Sequence, residues 1–146
     1  MTQEQQAIVQ AVAHEVEKEL KDQEAGHDWF HVQRVWANAK QIAAGEDVDL
    51  FVVELGALLH DIADWKFHNG DETVGPKKAR EILERHAVVA DVVDQVCDII
   101  STISYKGAGV ATPMKTKEGA VVQDADRLDA LGAIGIARCF VYTGHK

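Results

Sequence analysis

The chain has 146 residues, of which 47% are hydrophobic and 27% are charged, and these values are typical of one globular domain. Fifteen Lys and Arg against 24 Asp and Glu leave a net charge of −9, so a broad basic surface for nucleic acid is not expected. No apolar run reaches the ~18–20 residues of a membrane span. Cys97 and Cys139 form neither a disulfide framework nor a CxxC motif. We therefore predict a cytoplasmic domain that binds neither nucleic acid nor membrane.

Apolar residues recur with helical spacing along nearly the whole chain, which predicts an all-α bundle of about six helices. Thr2 and Gln5 have the spacing of a capping box at the start of the first helix. Asp49 is placed to cap the third helix. The predicted core positions of these first three helices are Ile8, Val12, Val16 and Leu20, then Val32, Val35, Trp36, Ala39, Ile42 and Ala43, then Val52, Leu55, Leu58, Leu59 and Ile62.

The second half of the chain continues the helical pattern. Pro76 suits the first turn of a fourth helix. Residues 88–103 are the most apolar segment, and their β-branched side chains would also suit a strand. As a helix, this segment would bury a face that includes Val89. A last helix is predicted from about Ala120 to about Val141, with its core register at Leu128, Leu131, Ile134 and Ala137.

Seven histidines stand out in this ordinary composition, and two of them, His27 and His60, directly precede aspartates. His27 and His31 are four residues apart, so they share a helix face if the second helix has already begun. His60 and Asp61 follow a strongly apolar run, with Asp64 three residues further on. Ionisable groups in such a position are costly unless they are paired or bind a cation. Two carboxylates and an imidazole within one turn favour a cation over a simple His–Asp hydrogen bond.

A third cluster contains the acids Asp124, Asp126 and Asp129 in the last predicted helix. They could compensate the helix dipole, but the apolar residues around them indicate a largely buried element. Imidazoles and carboxylates that converge from three helices would form a mixed nitrogen and oxygen site. Such a site suits Mn, Fe, Co, Ni or Zn, and Mg less well. A helical interaction domain in which these clusters are purely structural is the alternative.

The order His31, His60-Asp61 and Asp126 resembles the H…HD…D signature of the HD-domain metal-dependent phosphohydrolases. The segments HVQRV from residue 31, LHDIAD from residue 59 and DADRLDALGAIGIAR from residue 124 are similar to those of small stand-alone bacterial HD hydrolases. The resemblance extends from about residue 24 to about residue 144 and implies one HD domain over 1–146. Because the related enzymes continue beyond the last helix, we expect further C-terminal helices in the complete protein.

The resemblance implies that His31, His60, Asp61 and Asp126 bind one divalent metal ion, which is Mn, Fe, Co, Ni, Zn or Mg. Spacing alone does not decide which acid of the last cluster is the ligand. Asp126, directly before the basic residue, matches the family position, and Asp124 is the alternative.

Further roles follow from the same resemblance. Asp64 matches an acid that supports or activates the attacking water, and it is a catalytic candidate together with Asp61. Arg127 matches a basic position that contacts substrate phosphate in some relatives. Lys66 and His27 are additional candidates for substrate contact because they lie near the motifs.

For two further side chains, His86 and Arg34, a structural role is the alternative to a functional one. His86 could join a second metal, but its position suggests an ordinary helix end, so we favour one metal. Arg34 lies between core positions, and an ion pair with an acid is as plausible for it as substrate contact.

The function implied by the resemblance is hydrolysis of a small phosphorylated metabolite by metal-activated water, with a nucleoside triphosphate as the favoured substrate. The alternative is a non-catalytic metal- or nucleotide-binding sensor or partner domain. Asp64 favours the enzyme, because a binding module has no need of a spare carboxylate beside the metal. A homodimer is compatible with either function.

Overall fold

A computed structural model describes residues 1–21, 29–63, 73–104 and 114–144, with the backbone alone at 104 and from 133 onwards. These residues form six helices and no strand: α1 Gln3–Lys21, α2 Trp29–Ala43, α3 Leu50–Leu59, α4 Val74–Arg85, α5 Ala90–Ser104 and α6 Lys117–Gly144. The predicted all-α fold is therefore confirmed, and the segment that could also have been a strand is the helix α5. Over the described residues, none of these helices combines the length and the apolar character that crossing a membrane requires.

Side-chain caps begin α1 and α3 at the predicted residues. The Thr2 N–H donates to Gln5 Oε1 at 3.1 Å, and the Gln5 N–H donates to Thr2 Oγ1 at 3.0 Å, which is the reciprocal pair of a capping box. Asp49 Oδ1 accepts from the Phe51 N–H at 3.0 Å. Both caps satisfy backbone donors that the first turn of a helix leaves without partners.

The central element of the fold is α3, in which every residue from Phe51 to His60 is buried. It contacts α1, α2, α5 and α6. Gly56 allows a close approach of α6, since a Cβ at this position would lie only 3.2 Å from Val122 Cγ2. Because Asp126 lies one helical turn beyond Val122, the close approach brings it toward the end of α3 at His60.

Most predicted core positions are buried or partly buried, but three are not. Val89 is 64% exposed, and Leu128 and Leu131 are 53% and 65% exposed. Val89 directly precedes the first residue of α5 and is therefore not part of the helix whose buried face it was predicted to extend. Leu128 and Leu131 lie further along α6 than the buried Val121 and Ala125, where none of the described residues covers them. Assigning these three residues to the core was therefore wrong. The side chains of Ile134 and Ala137 lie outside the described ones.

Ion pairs connect α1 to α4. His86 Nε2 lies 2.8 Å from Glu15 Oε2, and Arg85 pairs with the same carboxylate, while Lys78 pairs with Glu19. His86 is the C-cap of α4, so the predicted helix end is confirmed. Burial raises the pKa of Glu15, but the hydrogen bonds from His86 and Arg85 outweigh it and hold that pKa below the ordinary 4.5.

Replacing Glu15 with glutamine is expected to lower the free energy of unfolding by about 1 kcal/mol at neutral pH, as for a good surface ion pair. Because the folded-state pKa of Glu15 is lowered, its contribution is present above pH 4.5 and is lost as the pH falls through the folded value. Chemical denaturation of both proteins at neutral and strongly acidic pH measures the effect. A difference that is equally large in strong acid would contradict an origin in the charge of Glu15.

Candidate metal centre

Three helices bring His31, His60 and Asp126 together. His31 lies in the first turn of α2, His60 ends α3, and Asp126 belongs to α6. Among the described residues, these three form a group in which one ligand atom from each lies within 4.8 Å of the others. Asp126 Oδ1 is 3.2 Å from His31 Nε2 and 3.4 Å from His60 Nε2. The two imidazole rings meet edge-on, with 5.5 Å between their centroids. Two ring nitrogens thus face one carboxylate oxygen.

The group lies at the boundary between the core and the solvent. The side chain of His60 is 3% exposed, whereas those of His31 and Asp126 are 24% and 18% exposed. His60 is buried because it directly follows the buried helix α3, and His31 is held at the edge by its buried neighbour Val32. A solute can therefore reach the group from the side of His31 and Asp126.

The Nε2 atom of His60 is buried and has no hydrogen-bond partner among the described residues. The other ring nitrogen, Nδ1, lies 2.6 Å from the carbonyl oxygen of Ala57, which can only accept, so Nδ1 carries a proton. In the neutral ring, Nε2 then presents a lone pair toward Asp126 Oδ1. Two acceptors that face each other need a proton or a metal cation between them. Imidazole nitrogen and carboxylate oxygen are ordinary ligands of divalent transition metals, so the donor set fits such an ion.

The ring of His31 is held by a second acid, Asp129. His31 Nδ1 donates to Asp129 Oδ2 at 2.6 Å, although 98 residues separate the two in the chain. Arg34 Nε donates to Asp129 Oδ1 at 2.6 Å, and Arg34 Nη2 donates to Oδ2 at 3.2 Å. Of the two alternatives for Arg34, the structure therefore contains the ion pair.

Sequence reasoning missed the contact between Asp129 and His31, although a signal was present. Arg34 follows His31 by three residues, and Asp129 follows Asp126 by three residues. Residues at this spacing are neighbours on a helix surface. If Asp126 is taken to meet His31, the equal spacing places Asp129 near Arg34, which is the contact that the structure contains.

The carboxylates favour positive charge on both histidines. The hydrogen bond with Asp126, opposed by burial and helped by Asp129, raises the pKa of His31 to about 9. Burial lowers the pKa of His60, but Asp126 and Asp61 outweigh it, and the pKa lies above its ordinary value. The hydrogen bond from Arg34 holds the pKa of Asp129 below the ordinary range. A metal cation would have to displace these protons from the two rings.

Asp61 directly follows His60 in the turn after α3. It is not part of the group within 4.8 Å, but its negative charge raises the pKa of both His31 and His60. Asp61 is therefore near enough to interact electrostatically with both rings.

The other predicted site residues lie apart from this group or outside the described residues. Asp124 is exposed and lines a separate depression together with Glu46 and Lys117. Arg127, next to Asp126, is exposed on α6. Three further candidates lie outside the described residues, namely His27, Asp64 and Lys66.

The HD domain family model matches residues 29–131, so the chain belongs to the HD domain family, as the resemblance implied. The chain is 41% identical to the Bacillus subtilis protein YpgQ over 132 residues, and the match covers 90% of this chain and 64% of YpgQ. The crystal structure of an HD-superfamily hydrolase from Bacillus thuringiensis superposes with a TM-score of 0.73 at 39% identity, over 97% of this chain and 67% of that one. A crystal structure of Bacillus subtilis YpgQ in complex with ADP superposes with a TM-score of 0.72 at 35% identity, over 97% and 68%.

Proposed function

We propose that the protein is a metal-dependent phosphohydrolase that acts on a small phosphorylated metabolite, with a nucleotide as the favoured substrate. The observation that carries this proposal is the buried Nε2 of His60, which faces Asp126 and lacks a hydrogen-bond partner in the described part of the chain. A divalent cation satisfies both groups. Membership of the HD domain family, with a hydrolase among its structural neighbours, supports hydrolysis as the purpose of that cation.

The proposed ligands of one divalent ion are His31 Nε2, His60 Nε2, a carboxylate oxygen of Asp126 and the carboxylate of Asp61. The first three already lie together, and the charge of Asp61 acts on both rings. An ion that takes about six ligands would keep positions for other molecules. When bound, such an ion lowers the pKa of a water and polarises a phosphoryl oxygen.

The remaining roles are assigned from the family resemblance and from proximity in the sequence. We assign to Asp64, together with Asp61, the acceptance of a proton from the attacking water. A phosphorylated substrate brings negative charge to a chain of net charge −9, so local cations are needed. Arg127 follows a proposed ligand directly, and Lys66 and His27 are near the motifs in sequence, so we assign these three to the substrate. Arg34 is not included because it pairs with Asp129.

A nucleotide is favoured because YpgQ, to which this chain is similar over most of its length, has been crystallised with ADP. A divalent cation is also a suitable partner for the negative charge of a di- or triphosphate group. These two arguments support a nucleoside di- or triphosphate over an uncharged substrate.

A release assay tests the function directly. Purified protein is incubated with nucleotides and sugar phosphates in the presence of Mn²⁺, Mg²⁺, Co²⁺, Ni²⁺ or Zn²⁺, and phosphate and pyrophosphate are measured. We expect release from at least one nucleotide that depends on the metal and stops when EDTA is added. Saturable nucleotide binding without release under any metal would instead support the sensor. Absence of bound metal after reconstitution would contradict a metal site.

A further inference from the structure

Asp129 contacts both the imidazole of His31 and the guanidinium of Arg34, and the proposed hydrolysis gives this carboxylate no role. Its side chain is 11% exposed and lies between His31 Nδ1 and the guanidinium of Arg34, at 2.6 Å from each. We propose that Asp129 and Arg34 form a positioning pair, which holds the His31 ring with Nε2 toward Asp126 and His60 and thereby sets the metal affinity of the site. This inference rests on the proposed function only in taking His31 as a metal ligand.

The first step of the argument concerns the proton on the His31 ring. An ionised carboxylate only accepts, so the 2.6 Å contact with Asp129 requires a proton on His31 Nδ1. In the neutral ring the lone pair is then on Nε2, the nitrogen that lies 3.2 Å from Asp126 Oδ1. Without Asp129, the neutral ring could carry its proton on either nitrogen, and only one of these tautomers suits a metal at Nε2.

The second step compares the two histidines. The ring of His60 is fixed by the backbone carbonyl of Ala57 and by nearly complete burial. The side chain of His31 is 24% exposed and lies in the first turn of α2, so packing restrains its ring less. Its orientation therefore depends on the side chain of Asp129. Histidine ligands of metals commonly donate their second nitrogen to a carboxylate in this way, and the carboxylate raises their basicity.

The third step concerns Arg34. Its Nε and Nη2 atoms donate to the two oxygens of Asp129, at 2.6 Å and 3.2 Å. This two-point contact restricts the rotation of the carboxylate more than a single contact could. His31 and Arg34 belong to α2, whereas Asp126 and Asp129 belong to α6, so the pair also fixes the two helices against each other where both supply ligands.

The test measures the affinity of the full chain for Mn²⁺ by isothermal titration calorimetry. Asp129→Asn keeps the shape of the side chain, and we expect it to bind Mn²⁺ roughly 10–100-fold more weakly than the wild type. Arg34→Gln should weaken binding by a smaller factor in the same direction. The matched control is the ion pair of Arg80 with Asp94, which joins α4 and α5 at 2.8 Å. Arg80→Gln and Asp94→Asn should leave the Mn²⁺ affinity unchanged.

A second measurement separates positioning from a general loss of structure. The visible absorption spectrum of bound Co²⁺ reports the ligand geometry, and we expect it to change in Asp129→Asn and to recover in part in Asp129→Glu. Circular dichroism and thermal unfolding establish that each variant is folded. If Asp129→Asn does not fold, Arg34→Gln decides: weaker Mn²⁺ binding supports the proposal, and wild-type binding overturns it.

The outcomes also distinguish this inference from the proposed function. A folded Asp129→Asn protein with wild-type Mn²⁺ affinity and an unchanged Co²⁺ spectrum overturns the positioning role and leaves hydrolysis untouched. A wild-type protein that binds Mn²⁺ through this arrangement, but hydrolyses no phosphorylated substrate, overturns the proposed function and leaves the positioning role intact.

Discussion

Replacing His60 with glutamine is expected to abolish divalent metal binding and, with it, metal-dependent release of phosphate. His60 Nε2 is buried and faces Asp126 Oδ1, and in the neutral ring it carries the lone pair that a metal would bind. A glutamine at this position would present an amide, and an amide is a poorer ligand for a transition metal than a neutral imidazole. The loss of affinity should exceed the roughly 10–100-fold that follows when a group behind a ligand is removed. Calorimetric titration with Mn²⁺ and a phosphate-release assay measure the two effects.

His14 provides the matched control for this experiment, because it is an exposed histidine on α1. We expect His14→Gln to bind metal and release phosphate as the wild type does. Since His60 is buried, circular dichroism has to establish that His60→Gln is folded. A folded His60→Gln protein with wild-type metal affinity would show that His60 is not a ligand.

Replacing Asp126 with asparagine is expected to remove metal binding and to lower the pKa of His31 from about 9 toward its ordinary 6.5. Asp126 is the largest cause of the raised pKa, and its oxygen lies close to both ring nitrogens. An asparagine has no charge with which to hold a proton or a metal ion there. NMR titration of the imidazole protons in EDTA measures the pKa, and calorimetry with Mn²⁺ measures the affinity.

The same substitution should change how the stability of the metal-free protein depends on pH. Because the folded-state pKa of His31 is raised, its contribution to stability is complete below about pH 6.5 and is lost as the pH rises through about 9. Asp126→Asn should therefore destabilise the protein more below pH 6.5 than above pH 9. Denaturant unfolding in EDTA at both ends of this window checks the sign.

Asp124→Asn tests the alternative that the sequence left open. Asp124 is exposed and lines a depression away from the two histidines. This variant should keep the wild-type metal affinity and the raised pKa of His31. If Asp124→Asn lost the metal while Asp126→Asn retained it, the assignment of the ligand in α6 would be reversed.

The helices could be predicted from the sequence wherever a local interaction decides them. The capping bonds of Thr2 with Gln5 and of Asp49 with Phe51 join residues that are close in the chain, so local sequence is sufficient. The segment 88–103 was different, because its β-branched residues suit a helix or a strand. Packing of one face against α3 and α4 favours the helix α5.

The exposure of Leu128 and Leu131 could not be predicted from periodicity. A helical pattern states which residues share a face, but what covers that face depends on the other elements. In the described part of the chain, α6 buries Val121, Val122 and Ala125, whereas Leu128 and Leu131, further along the helix, are largely exposed. Burial of a helix face is a property of the assembled bundle.

The sequence by itself determined the helical class of the protein and its HD family, and it narrowed the candidate imidazole and carboxylate groups to a few residues. Only the tertiary structure decided that His31, His60 and Asp126 share one site, that His60 Nε2 is buried facing a carboxylate, and that Asp129 reaches back to His31. The reason is physical. Distances between atoms on α2, α3 and α6 depend on how closely the three helices pack, and residue spacing along the chain does not specify that packing.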